Sequence, residues 1–288
     1  LEQDQAAAAE EFANRLLAEN PYYTTGLDDP QRYVDLIARL KEGKATITTA
    51  SQLAETVEEA PVPVVLITEE MIRESGARTL QDLLTLYVPG MVKVEGFDEN
   101  VAMRGAYSMM QEKILVMLDG LRLNSHTTNS ESLDQRISLE KVSQIEILRG
   151  PASSLYGNVA LTAVINIKTK SGGDVNGIKV KGGVGTYGTY SADVLLGKRI
   201  LDLDVMVWAS AYFSNGERRE CKDGDKDFLS FNGKNQGYYY LNNMRGTPAY
   251  DIGTKLSFKD FSFLFNMQQS RKTTVYSPSV KWGIYDFD

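Results

Sequence analysis

Two stretches of the chain alternate with a period of two. Over 201–213, Leu201, Leu203, Val205, Val207, Ala209, Ala211 and Phe213 fall on one face, and Asp202, Asp204, Met206, Trp208, Ser210 and Tyr212 on the other. Over 261–268, Phe261, Phe263, Phe265 and Met267 oppose Ser262, Leu264, Asn266 and Gln268. Successive strand residues point to opposite faces, so both stretches are half-apolar strands. The apolar face can meet a second sheet in a soluble sandwich, or lipid in an outer-membrane barrel whose polar face lines the lumen. Alternation alone leaves both open.

Connection lengths favour the barrel. The pattern places strands near 178–186, 189–199, 201–213, 249–258 and 260–271. The links near 199–201 and 258–260 are tight, whereas 214–248 is long, polar and Gly-rich. Short turns at one end and long loops at the other are the habit of outer-membrane barrels. If the first strand rises from the periplasm, 214–248 lies outside, and 272–288 is a second long outer loop. No run of about 18 apolar residues is present, so a spanning helix is not expected. The net charge of −7 argues against a nucleic-acid binder. Cys221 is the sole cysteine, so no internal disulfide framework forms.

The preceding residues have a different character. Residues 1–44 read as a helical extension. Ala6 to Asn20 is rich in helix formers, Asp29 and Pro30 open a second helix, and Tyr33, Leu36, Ile37 and Leu40 share its face. Residues 52–172 mix short helices and strands. Thr68 before Glu69 and Glu70 starts one helix. Thr79 with Asp82 forms a capping box for a helix at 80–87, stopped by Pro89 and Gly90. Residues 114–118 and 145–148 read as strands, and Asp119-Gly120 is a turn. The expected architecture is an α+β domain followed by antiparallel transmembrane strands at 177–288, about five of them.

The ordered motifs ATITTAS (45–51), APVPVVLITEEMIRESGARTLQDLLTLYVPGM (60–91), MRG (103–105), KILVMLDGLRLNS (113–125) and ISLEKVSQIEILRGPASSLYGNVALTAVINIKTK (137–170) resemble the plug of TonB-dependent outer-membrane receptors. Each tripeptide is weak alone, and the ordered set is specific. The resemblance implies a bacterial outer-membrane protein whose plug fills a barrel of about 22 strands. The remaining strands would come from a longer chain or a second chain, because an open sheet leaves edges that lipid does not tolerate. It implies TonB, with its inner-membrane energising complex, as the partner. TonB would capture an extended segment as an added strand. Ala45, Thr46, Ile47, Thr48, Thr49, Ala50 and Ser51 are the candidate segment, the plainer alternative being a linker strand. Arg104 and Arg149 are candidates for anchoring the plug to barrel carboxylates, or for internal pairs with Asp119, Glu140 or Glu146. Tyr107, Met109, Met110, Gln111, His126 and Asn129 are candidates for contacting the imported ligand, whose identity the sequence does not give.

The expected activity is energised import of a scarce ligand. The alternative is a plug-bearing subunit of a larger TonB-energised complex. No cofactor is implied. The thioethers of Met109 and Met110 suit copper, but no Cys or His neighbours them, so no metal site is assigned. Residues 183–188 match G-x-G-x-x-G, yet period-two residues follow where a dinucleotide site requires a helix. No G-x-S-x-G is present and His126 is the only histidine, so nothing points to catalysis.

Overall fold

A computed structural model describes residues 62–94, 100–106, 112–221, 237–241 and 246–271. It also describes Ala9, Phe12, Ala13, Arg15, Leu16, Tyr33, Leu36, Thr46, Ile47, Thr49, Glu55, Thr56, Asn243 and Met244. The few described positions before residue 45 are helical. The rest of the expected N-terminal extension and the expected outer loop at 272–288 lie outside the described residues.

The first unit is a two-faced sheet. Its elements are β1 (Thr46–Ile47), β2 (Glu55–Thr56), β3 (Val64–Thr68), α1 (Glu69–Glu74), α2 (Leu80–Tyr87), β4 (Met91–Val94), β5 (Asn100–Met103), β6 (Ile114–Leu118), β7 (Leu121–Arg122), β8 (Val142–Arg149), α3 (Ser153–Tyr156), β9 (Ala163–Thr169) and α4 (Gly172–Val175). The sheet order is β3-β8-β9-β6-β7, with β6 and β9 parallel and the other pairs antiparallel. Strand β6 is buried throughout, because both faces are covered. Ile114, Val116 and Leu118 join Ile145, Ile147, Ile165 and Ile167 in a core under Leu80, Leu83 and Leu84 of α2. Leu115 and Met117 join Leu148 and Val164 in a second core closed by Ile47, Ala152, Val159 and Ala160. This double covering explains why 114–118 is a continuous apolar run rather than an alternating one.

The helix starts follow the caps visible in the sequence. Thr68 Oγ1 accepts from Met71 N at 3.3 Å. Thr79 and Asp82 exchange both bonds of a capping box. Asp82 also accepts from Lys93 Nζ at 2.6 Å. Burial raises the Asp82 pKa, but Lys93, Thr79 and the Arg78 backbone outweigh it, so the net shift is below the ordinary 3.8. A lowered carboxylate pKa contributes stability that is full above the ordinary value and lost as pH falls through the lowered one. Asp82→Ala is expected to cost about 1 kcal/mol, mostly through the lost cap. Faster amide exchange over 80–84 at neutral pH checks it, and the difference from wild type should shrink in acid.

The second unit is an antiparallel sheet in the order β10-β11-β12-β15-β16. Its strands are β10 (Gly177–Gly185), β11 (Thr189–Ile200), β12 (Leu203–Phe213), β15 (Ala249–Phe258) and β16 (Phe261–Gln269). A separate hairpin of β13 (Glu217–Cys221) and β14 (Gly237–Leu241) lies within the long link. The tight links turn through Leu201 at φ 54° and Lys259 at φ 51°. Val184 is 93% exposed and Phe261 80% exposed on one face, with Val180, Ile200, Phe263 and Phe265 also open. On the other face Leu195, Met206 and Trp208 are buried. The outward face is apolar and the inward face meets the first unit, as a barrel wall requires. The five strands form an open sheet among the described residues.

Candidate functional site

The inner face of the sheet carries polar side chains in register across the strands. Asp193, Ser210, Asp251 and Gln268 are successive cross-strand partners on β11, β12, β15 and β16. Asp193, Asp251 and Gln268 reach the first unit, whereas Ser210 Oγ is buried without a hydrogen-bond partner. Ser138 Oγ donates to Asp193 Oδ1 at 2.9 Å, Ser138 N to Asp251 Oδ2 at 2.9 Å, and Gln268 Nε2 to Glu131 Oε1 at 2.8 Å. Lys141 Nζ lies 2.6 Å from Asp251 Oδ2, both side chains fully buried. Burial draws the Lys141 ammonium below its ordinary pKa, and the Asp251 charge opposes it.

Nearer the tight turns, Lys255 reaches Asp119 Oδ2 at 3.1 Å and Thr169 Oγ1 at 3.2 Å. Asp204 accepts from Gly172 N at 2.6 Å, Gly173 N at 3.0 Å and Arg199 Nε at 2.9 Å. Lys181 pairs with Glu140. Hydrogen bonds and ion pairs therefore run the length of this contact, with Leu264 adding apolar packing against both cores it touches.

On the far face of the plug sheet sit Thr46, Ile47 and Thr49 of the candidate segment. Thr46 and Ile47 pair with Thr56 and Glu55. Ile47 is fully buried, and Thr49 is 1% exposed. Thr49 N donates to Glu146 Oε2 at 3.0 Å, and Thr49 Oγ1 donates to the same oxygen. Asn166 Nδ2 donates to Thr49 Oγ1 at 3.2 Å, and Tyr156 OH to Thr49 O at 2.9 Å. Burial and the Glu146 charge both push the Tyr156 pKa up, so the phenol keeps its proton and donates. The described part of this segment is docked against β8 and β9. Residues 45, 48, 50 and 51 lie outside the described residues.

Neither arginine forms an ion pair with a wall carboxylate among the described residues. Arg104 is exposed at φ 51° and makes no ion pair among the described residues. Arg149 has a buried Nε without a hydrogen-bond partner. It stands at the end of β8 remote from Lys141, roughly 23 Å along the strand. The acids considered as internal partners are engaged elsewhere: Asp119 with Lys255, Glu140 with Lys181 and Glu146 with Thr49.

Of the ligand candidates, Tyr107, Met109, Met110 and Gln111 lie outside the described residues. His126 is exposed in a turn. Asn129 accepts from Arg122 Nη2 at 2.6 Å, and its backbone oxygen accepts from Asn124 Nδ2 at 3.0 Å, so it braces the loop. The sequence reading did not single out Lys141 or Asp251. The available signal was the polar face of 201–213, which already put Asp204, Trp208 and Ser210 on the lumen side.

A two-faced plug sheet held by polar contacts to the inner face of a lipid-facing antiparallel wall defines an outer-membrane barrel protein with its lumen occupied. Residues 56–164 match the TonB-dependent receptor plug domain family. In both parts, plug and wall, the chain is similar to the TonB-dependent outer-membrane receptors. It is 29% identical over 143 residues to the vitamin B12 transporter BtuB of Vibrio cholerae, covering 50% of this chain and 23% of that one. It is 31% identical over 137 residues to the iron-regulated outer membrane virulence protein of the same species, covering 45% and 20%. The closed form of the ferric-catecholate import receptor Fiu from E. coli K12 shares the fold, with TM-score 0.51, 19% identity and coverage of 76% and 28%. The match spans less than a quarter of the length of these two relatives.

Proposed function

We propose that the receptor to which this chain belongs imports a scarce ligand across the outer membrane, with TonB pulling on residues 45–51 to displace part of the plug. The carrying observation is the tie between Thr49 and Glu146, which joins the coupling segment directly to the central strand β8. Force applied at Thr49 therefore reaches the sheet that fills the lumen. Relatives named as a vitamin B12 transporter and a ferric-catecholate receptor support ligand import as the class of activity.

In this reading Arg149 and Arg104 anchor the plug. Arg149 suits the role better, since a buried guanidinium nitrogen without an acceptor is costly until a carboxylate reaches it. In this reading the carboxylate comes from barrel strands other than these five. Ligand contacts come from residues 107–111 and from the exposed His126, with Asn129 holding the loop in shape.

The test uses the full-length receptor and the TonB C-terminal domain. A peptide of residues 44–52 should bind that domain, and deleting 45–51 should abolish energised uptake of every ferric siderophore or cobalamin that wild-type cells accumulate through the receptor. Uptake that persists after the deletion would sink the proposal.

A further inference from the structure

Asp251 is enclosed by donors from both units. Lys141 Nζ at 2.6 Å and Ser138 N at 2.9 Å come from the plug, and Trp208 Nε1 at 2.9 Å comes from the wall. The same ammonium donates to Asn266 Oδ1 at 3.1 Å and lies 5.0 Å from the centre of the Trp208 ring. Trp208, Gly253 and Asn266 are in register across β12, β15 and β16. A Cβ at 253 would stand 2.6 Å from Trp208 Cε2, so only glycine lets the indole lie against the wall. Carboxylate, amide and indole face thus form a socket with one entrant, the plug lysine.

A buried ion pair is a poor source of net stability, because desolvation offsets the attraction. Its energetic consequence is positional. Moving the plug by two residues along the wall toward the tight turns would set the ammonium in the row of Met206, Lys255 and Leu264, which offers a like charge and no acceptor. We propose that Lys141 is a positioning residue that fixes where the plug sits on strands β12, β15 and β16, with Asp251, Asn266 and the Trp208 ring as its socket. This seat is separate from the coupling segment and from Arg149, which lie at the other end and on the other face of the sheet.

The full-length receptor in planar bilayers tests it. Leak conductance reports an unseated plug, and heat-modifiable gel mobility reports an intact barrel. Lys141→Met should raise leak frequency roughly a hundredfold with barrel mobility unchanged, because it leaves Asp251 buried and unpaired. Lys141→Met with Asp251→Leu should recover at least about tenfold, since no charge is left orphaned. In a Cys221→Ser background, Ser138→Cys and Asp193→Cys joined by a short reducible thiol cross-linker should close the Lys141→Met leak, and reduction should reopen it. If Lys141→Met does not assemble, Asp251→Asn removes the charge, keeps one acceptor oxygen for Ser138 N and Lys141 while giving up the bond from Trp208, and should leak about tenfold more than wild type. Wild-type tightness in the assembled variant overturns the proposal. So does a leak that the cross-link leaves open, since that marks general loosening of the plug.

Discussion

Gly172→Ala is expected to keep the plug from seating on the wall, whereas the same change one residue later is tolerated. A Cβ at 172 would collide with Val205 O and stand 2.6 Å from Lys198 O, backbone atoms of two adjacent wall strands. Neither can swing aside as a side-chain tip does. Relief requires α4 to lift away, and lifting separates Gly172 N and Gly173 N from the Asp204 carboxylate, now 2.6 and 3.0 Å distant. Overpacking of this kind costs about 1–3 kcal/mol, and lost bonds to a charged acceptor add about 1.5–3 each. A total near 4 kcal/mol is a large share of a typical domain's stability. At Gly173 the new Cβ would meet the Arg199 side chain at 3.5 Å and Ser171 Oγ at 3.6 Å, both ordinary contacts. Receptor carrying G172A should show greatly reduced heat-modifiable barrel in isolated outer membranes, and G173A wild-type amounts. Equal amounts from both would show that α4 is not held as the contacts imply.

The wall was legible because its physics is local. Strand geometry places Val205 and Trp208 on opposite faces whatever surrounds them, and solvent or lipid contact then selects the residue types. The caps at Thr68 and Thr79 were legible for the same reason, since donor and acceptor are three residues apart. What escaped is long-range. Lys141 in Leu-Glu-Lys-Val-Ser-Gln reads as a solvated charge, and its acceptor lies on β15, more than a hundred positions later. Glu146 escaped differently. In β8 it alternates with Ile145 and Ile147, which reads as the wet face of a half-buried strand. The face is in fact covered by Ile47 and Thr49. The β-branched composition of this segment points to extended backbone, which Thr46 and Ile47 adopt, but composition carries no information on whether that backbone is free or docked.

The docking gives the second large effect. Glu146→Ala is expected to free residues 46–49 and raise the affinity of the TonB C-terminal domain for the full-length receptor, on the proposal that this segment is what TonB captures. Thr49 loses acceptors for its N–H and hydroxyl together, and bonds to a charged acceptor are worth about 1.5–3 kcal/mol each. The remaining ties, Asn166 Nδ2 to Thr49 Oγ1 and Tyr156 OH to Thr49 O, join neutral groups and hold about 1 kcal/mol apiece. If capture requires release, apparent affinity scales with the undocked fraction, so a loss of about 3 kcal/mol strengthens binding by roughly two orders of magnitude. Thr49→Val removes the hydroxyl and keeps the N–H, and should give a smaller gain of about tenfold. Titration calorimetry on the two variants reads both gains. A spin label at Thr46→Cys should sharpen in Glu146→Ala before any TonB is added. Unchanged affinity together with a sharpened label would mean that TonB takes hold of the chain elsewhere. An unchanged label would mean that Ile47, buried among Leu115 and Leu148, holds the segment without help from the carboxylate.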